Sequence, residues 1–235
     1  MADHNPAKGV TNLRETRDEH WIPEPEESEL FASEAGKTFS GGVLVPWIWF
    51  MAYVGSRPGE SFHCRWSDMD FDTEQVRVLN SRQTGRVSNK YRIVEMLSEL
   101  KPVLVSWRKE WEEVFRIYAE RYPKKKYPLH DWVFYNPKDR EKRASSFTKC
   151  FYQAREKAGL PKMTPHALRH YFISYCVMSG INFFTIAKWV GHSSTRMIEA
   201  VYGHLTRDFR KLEMGKLDYS LADTATNTLV KERAA

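Results

Sequence analysis

The feature that most constrains this chain is an unbroken apolar run from Val43 to Val54. At twelve residues it falls well short of the roughly 18 that a membrane span needs, and it is apolar on every side, so it belongs inside a core around which the rest of the chain must wrap. Gly55 and Pro58 interrupt it. The pattern predicts a buried helix that ends in a turn, followed by a second short helix carrying Glu60 to Cys64, with Arg57 on the turn between them. The 235 residues suffice for one substantial core, and eight Trp, eleven Tyr and thirteen Phe supply the apolar surface to fill it.

Residues 1–20 are polar and aperiodic and read as a linker, so the folded part is expected to start near Trp21. Glu26-Glu-Ser-Glu has the acid-rich first turn of a helix. From Met69 the apolar period changes to two, through Val76 and Val78 and then Ile93 and Glu95 with Val94 and Met96 opposite, which predicts a small antiparallel sheet. Pro102 is read as opening a long helix to about Tyr118, and Trp132-Val-Phe-Tyr as a short strand. Everything after Ser145 reads as helical, with breaks at Gly159 to Pro165, Gly180, Gly191 to Ser194 and near Gly203. The fold class expected is a mainly helical α+β domain with one small antiparallel sheet.

Lys and Arg outnumber Asp and Glu by 36 to 30, giving a net charge of +6, compatible with a polyanionic partner. Acids gather at Glu24, Glu26, Glu27 and Glu29, whereas bases dominate from Lys101 to Lys149; the run Lys124-Lys-Lys reads as a solvated loop. Cys64, Cys150 and Cys176 are odd in number, far apart and set among apolar neighbours, so buried reduced thiols and a cytoplasmic location are expected. No apolar stretch is long enough for a membrane span and Met1-Ala-Asp-His-Asn lacks the core of a signal peptide.

The chemistry-bearing residues lie late in the chain. Thr164-Pro165 is a helix start, so His166 and Arg169 fall on one face of a first turn, where free amides and the helix dipole favour an anion. Gly191 is placed to end the next helix, with His192 projecting from its C-terminal end. Met197, Ile198, Val201 and Leu205 recur at helical spacing beside Tyr202. Each has an ordinary reading taken singly: surface residues, a capping histidine, a half-buried tyrosine.

Together, the series His166-x-x-Arg169, Gly191-His192 and Tyr202 resembles the signature of the tyrosine recombinase, or phage integrase, family. The stretch Gly55-Ser-Arg57-Pro-Gly-Glu60, followed by Arg65-Trp-Ser-Asp68, is similar to that family's first-arginine box. The resemblance runs from about Glu26 to Asp208 and implies the fold of the family's DNA breaking-rejoining catalytic domain over 21–215, with 216–235 as a C-terminal tail. It implies Arg57, His166, Arg169, His192 and the nucleophile Tyr202 as catalytic residues. The family's lysine belongs on the hairpin after the first box; the usual Lys-Thr-Gly is Gln83-Thr-Gly here, and Lys90 is the hairpin's one lysine. Arg82 and Arg86 are alternative cations but poor proton donors, because a guanidinium scarcely ionises.

The implied reaction is site-specific recombination of double-stranded DNA attachment sites by a homo-oligomer, a tetramer on DNA, with neither cofactor nor metal. Two guanidinium forks hold the phosphate oxygens as charge develops, His192 adds a hydrogen bond, His166 is the base for the phenol, and Lys90 protonates the leaving 5′ oxygen. A type IB topoisomerase uses the same residue types, and a non-catalytic DNA-binding relic is a further alternative. His166 and His170 stand at zinc-ligand spacing, but Ala167 occupies the place where a zincin needs Glu. Family members carry a separate DNA-clamping domain of roughly a hundred residues, a small domain's length. The chain before Arg57 is shorter, which implies either a trimmed catalytic piece or a minimal enzyme gripping DNA from one side.

Overall fold

The computed structural model describes residues 21–80, 91–124 and 130–206. The expected linker at 1–20, the tail at 216–235, Lys90, Arg82, Arg86 and most of the Lys124–Lys126 run lie outside them.

Eight α-helices and two small sheets are described: α1 (Pro25–Gly36), α2 (Gly41–Val54), α3 (Pro58–Ser61), β1 (Met69–Asp70), β2 (Gln75–Leu79), β3 (Tyr91–Glu95), α4 (Leu100–Arg121), β4 (Tyr135–Asn136), β5 (Asp139–Arg143), α5 (Thr148–Lys157), α6 (Pro165–Met178), α7 (Phe183–Val190) and α8 (Arg196–Tyr202). The apolar run forms α2, and Leu44, Trp47, Ile48, Phe50, Met51 and Val54 are all buried. It packs against α1, α4, α5 and α6. Trp47 stacks on Phe62 with ring centroids 5.4 Å apart, and its indole N–H donates to Ser61 Oγ at 2.6 Å, so the core's largest ring also anchors α3.

The expected sheet is β1-β2-β3, antiparallel throughout, with Val76 opposite Val94 and Val78 opposite Arg92. Val76, Val78 and Val94 point inward, whereas Ile93 and Glu95 are exposed. The single expected sheet is corrected to two. The stretch Trp132-Val-Phe-Tyr is not one strand: Trp132 makes an isolated bridge to Arg65, and only Tyr135–Asn136 pairs with a second strand, β5. That strand reads Asp-Arg-Glu-Lys-Arg, with no apolar alternation to betray it.

Two further boundaries move. The second short helix stops at Ser61 rather than reaching Cys64, because the Cys64 carbonyl accepts from Val133 N and Trp66 N donates to Asp131 O, drawing 64–66 into strand-like pairing. Helix α4 begins at Leu100, two residues before Pro102; a proline is tolerated there because the first-turn amides have no partner within the helix. Met197 is 54% exposed, so Ile198 and Tyr202 carry the buried side of α8. All three cysteines are free, but only Cys64 is buried; Cys150 and Cys176 are half-buried. No helix among the described residues is long and apolar enough to cross a membrane.

Gly55 closes α2 in the left-handed region, φ 62°, and a Cβ there would stand 2.2 Å from Cδ1 of Phe172 on α6. Strain and overlap act together, so Gly55→Ala should lower unfolding stability by about 2–5 kcal/mol. At Gly59 nothing lies within 4 Å of an added Cβ. Gly59→Ala should therefore be neutral or stabilising by up to about 1 kcal/mol, since Ala is the better helix former. Urea denaturation midpoints of the two variants check both.

Candidate active site

The site is built where α7 ends. A helix leaves its last carbonyls without internal partners, and here Gly191, left-handed at φ 68°, turns the chain away so that those carbonyls face the core side of α3 and α6. Three consecutive carbonyls are then taken by three guanidiniums from three different elements. Arg92 Nε donates to Trp189 O at 2.6 Å, Arg169 Nη2 to Val190 O at 2.7 Å, and Arg57 Nη2 reaches Gly191 O at 3.5 Å.

Each cation is delivered by local sequence logic. Thr164 caps α6, its side chain accepting from Ala167 N at 3.0 Å, and Pro165 sits at the first helical position, as expected. Arg169, 6% exposed, follows one turn on and also donates to Gly55 O at 2.6 Å. Arg57 precedes α3, and Glu60 reaches back to it twice, accepting from the Arg57 backbone N–H at 3.0 Å and from Nη1 at 2.8 Å. Glu60 Oε2 also accepts from Arg92 Nη2 at 2.7 Å. One buried carboxylate thus ties two guanidiniums together. Burial by itself would raise the Glu60 pKa, but the paired Arg92 and Arg57 overcome it and hold the group at about 2.

His192 also joins the cluster. Its Nε2 lies 3.0 Å from Arg169 Nη2, and because a guanidinium can only donate, Nε2 accepts and the ring proton sits on Nδ1. That Nδ1 is buried and has no hydrogen-bond partner among the described residues. Burial, then Arg169, Arg57 and Arg92, pull the His192 pKa down to about 4, so the imidazole is neutral at pH 7. Burial and the Arg57 and Arg92 charges likewise lower the Arg169 pKa. A cluster with this much positive charge against one carboxylate is suited to an anion that accepts several hydrogen bonds, such as a phosphodiester.

Tyr202, 3% exposed, closes α8 against α6. Burial raises its pKa above the ordinary tyrosine value, while the charge of Arg169 acts to lower it. Its hydroxyl is hydrogen-bonded to Nδ1 of His170. His166, the residue expected to be the base, is exposed at the second position of α6. The structure therefore brings Arg57, Arg169 and His192 into one cluster and sets Tyr202 within the field of Arg169. Lys90 lies outside the described residues. Two members were missed from sequence. Arg92, 9% exposed, sits on the inward face of β3 in step with Val94, a polar residue at an apolar position, which is the signal that was available. His170 follows Arg169 directly, and the sequence marks it only by its zinc-ligand spacing from His166.

Comparison with known proteins gives a consistent result. A family model described as the phage integrase family matches residues 43–208. The integrase of ICEBs1 from Bacillus subtilis is 26% identical over 224 residues, covering 91% of this chain and 58% of that protein. A tyrosine recombinase XerC from Pediococcus pentosaceus is 27% identical over 215 residues, covering 88% of this chain and 65% of that one. The chain thus spans about 60% of the length of these curated relatives. Among solved structures, the XerA recombinase superposes with TM-score 0.61 at 22% identity, covering 89% of this chain and 68% of that one. The catalytic domain of bacteriophage HP1 integrase superposes with TM-score 0.58 at 19% identity, covering 86% of this chain and 97% of that one. The fold is that of these catalytic domains.

Two pH effects follow from the cluster. Glu60 and His192 each bind fewer protons folded than unfolded, so both add stability that rises with pH. The Glu60 contribution is complete above its ordinary 4.5 and is lost as pH falls toward about 2; that of His192 is complete above 6.5 and is lost toward about 4. NMR titration of the imidazole should place His192 near pH 4 in the free protein, and Arg169→Ala should move the titration back toward 6.5.

Proposed function

Because this chain belongs to the phage integrase family, matched over residues 43–208, we propose that 21–215 form the catalytic domain of a site-specific DNA recombinase that works through a covalent bond to Tyr202. The observation that carries this reading is the convergence of Arg57, Arg169 and His192 on the end of α7, with the buried hydroxyl of Tyr202 in the field of Arg169.

A DNA phosphate entering the pocket takes the donors now spent on backbone carbonyls. Arg57 and Arg169 hold its non-bridging oxygens bidentately, and as Tyr202 attacks, the charge that builds on those oxygens meets donors already oriented. The neutral His192 keeps one N–H, on Nδ1, to give to the same phosphate. A phenol is protonated near neutrality, and burial makes the Tyr202 proton harder still to lose, so attack needs both a base and the phosphate-bound cations in place. His166 is assigned as that base, with His170 holding the hydroxyl in the DNA-free protein. Lys90 gives the leaving 5′ oxygen its proton. The products are a 3′-phosphotyrosine and a free 5′-hydroxyl; attack by the 5′-hydroxyl of a second strand reverses the step and exchanges strands. The partners are double-stranded DNA attachment sites and further copies of the chain, a tetramer on DNA, with the 216–235 tail docking in trans.

The test is a pool of nicked duplexes with a randomised central sequence, from which covalent adducts are isolated and sequenced. Wild type should yield an adduct whose tryptic peptide carries Tyr202, and Tyr202→Phe should bind DNA yet give none. An adduct on Tyr171 or Tyr175 would overturn the nucleophile. Recombination of paired selected sites, without relaxation of a supercoiled plasmid lacking them, separates this reading from a topoisomerase.

Lys90→Ala should slow cleavage of an ordinary 5′-oxygen substrate and recover on a 5′-bridging phosphorothiolate, whose thiolate leaves without a proton. Full-rate cleavage by Lys90→Ala alongside a slow Arg86→Ala would overturn the placement of the acid on Lys90.

A further inference from the structure

We propose that Arg92 is a positioning residue for strand cleavage, setting Arg57 through Glu60 and His192 through the Trp189 carbonyl, so that the strand leaving the hairpin and the phosphate pocket move as one unit. This rests on the recombinase reading above.

Arg92 never needs to touch DNA to matter. Each of its three nitrogens donates inside the protein: Nε to Trp189 O, Nη1 to Asn80 Oδ1 at 2.8 Å, and Nη2 to Glu60 Oε2. The two acceptors that count each lead to a phosphate-facing group. Glu60 has one oxygen on Arg92 and the other on Arg57 Nη1, so its carboxylate is a rigid spacer between two guanidiniums. Trp189 O lies three residues before His192, and the intervening turn leaves little play. Gly191 is left-handed, and a Cβ placed on it would come within 3.1 Å of Arg92 Nη1. Arg92 is therefore packed against the very turn that aims the imidazole. On its other side, Arg92 belongs to β3, directly after residues 81–90, and grips Asn80 at the end of β2. Hydrogen bonds thus connect the base of the hairpin at Asn80 to Arg57 by way of Glu60, and to the turn before His192 by way of the Trp189 carbonyl.

Lysine cannot do this. It carries the charge but is a single point donor, whereas the role needs donors fixed in a plane and aimed in three directions. Removing Arg92 alone takes from the buried Glu60 one of the two guanidiniums that compensate its charge, which costs stability whatever Arg92 does for catalysis. Replacing both partners with apolar residues of similar volume removes that penalty, and so separates stability from positioning.

The experiment measures single-turnover cleavage at saturating DNA, DNA affinity and thermal midpoint for the full chain and for R92K, R92M, E60M and R92M/E60M, on a nicked duplex selected from the randomised pool. The double variant should regain most of the thermal midpoint lost by R92M. It should bind DNA as wild type does, yet cleave on the order of a hundredfold more slowly, the usual consequence of a misplacement near 1 Å. R92K should fold and show the same split between binding and rate. Because Arg92 acts on Arg57 through Glu60, the rate losses of R92M and E60M should fail to multiply in the double variant. A double variant cleaving within a fewfold of wild type would make Arg92 purely structural, and multiplying losses would make it independent of Glu60; either overturns the proposal. Absence of any wild-type adduct on Tyr202 would instead sink the recombinase reading.

Discussion

Everything in this structure turns on a charge problem solved at the C-terminal end of α7. Three guanidiniums cannot be gathered in a buried site without counter-charge, and the protein meets them with one carboxylate, Glu60, and with the unpaired carbonyls that a helix end supplies. The arrangement compensates the arginines enough to fold but leaves their charges incompletely neutralised, which is why burial and mutual repulsion lower the pKa values of Arg92, Arg169 and His192 alike.

The tyrosine that closes α8 is set beside this cluster. Tyr202 is packed on Ile198 and the apolar face of α6, and its hydroxyl rests on His170. Burial keeps its proton on, so the free protein carries a protected phenol rather than a reactive phenolate. The fold holds α6, α7 and α8 packed on one another, which keeps the phenol, the imidazole and the guanidiniums in one region.

Legibility from sequence followed the range of the interaction. The buried α2 helix, the Thr164-Pro165 start of α6 and the Gly55 and Gly191 terminations are legible because each rests on neighbours within a few residues, and the β2-β3 sheet because apolar alternation is carried along each strand. The second sheet was not. Its β5 strand is all charge, and it exists because β4 offers it a backbone edge rather than because its side chains demand a strand. The short helix after Arg57 was read too long for a related reason: residues 64–66 pair with the distant 131–133 stretch.

The sequence by itself determined which chemistry is available, since the identities and order of Arg57, His166, Arg169, His192 and Tyr202 already carry the family's signature on locally coded helix ends. Tertiary structure alone decided who meets whom. Arg92 is bound to a carbonyl 97 positions away, Arg57 to one 134 away, and the Tyr202 hydroxyl to His170 rather than to His166. Helix starts and stops are written in residues that touch along the chain. The protonation states and aims of the clustered groups depend on burial and on charges brought together across it, and those quantities come into being only when the chain has folded.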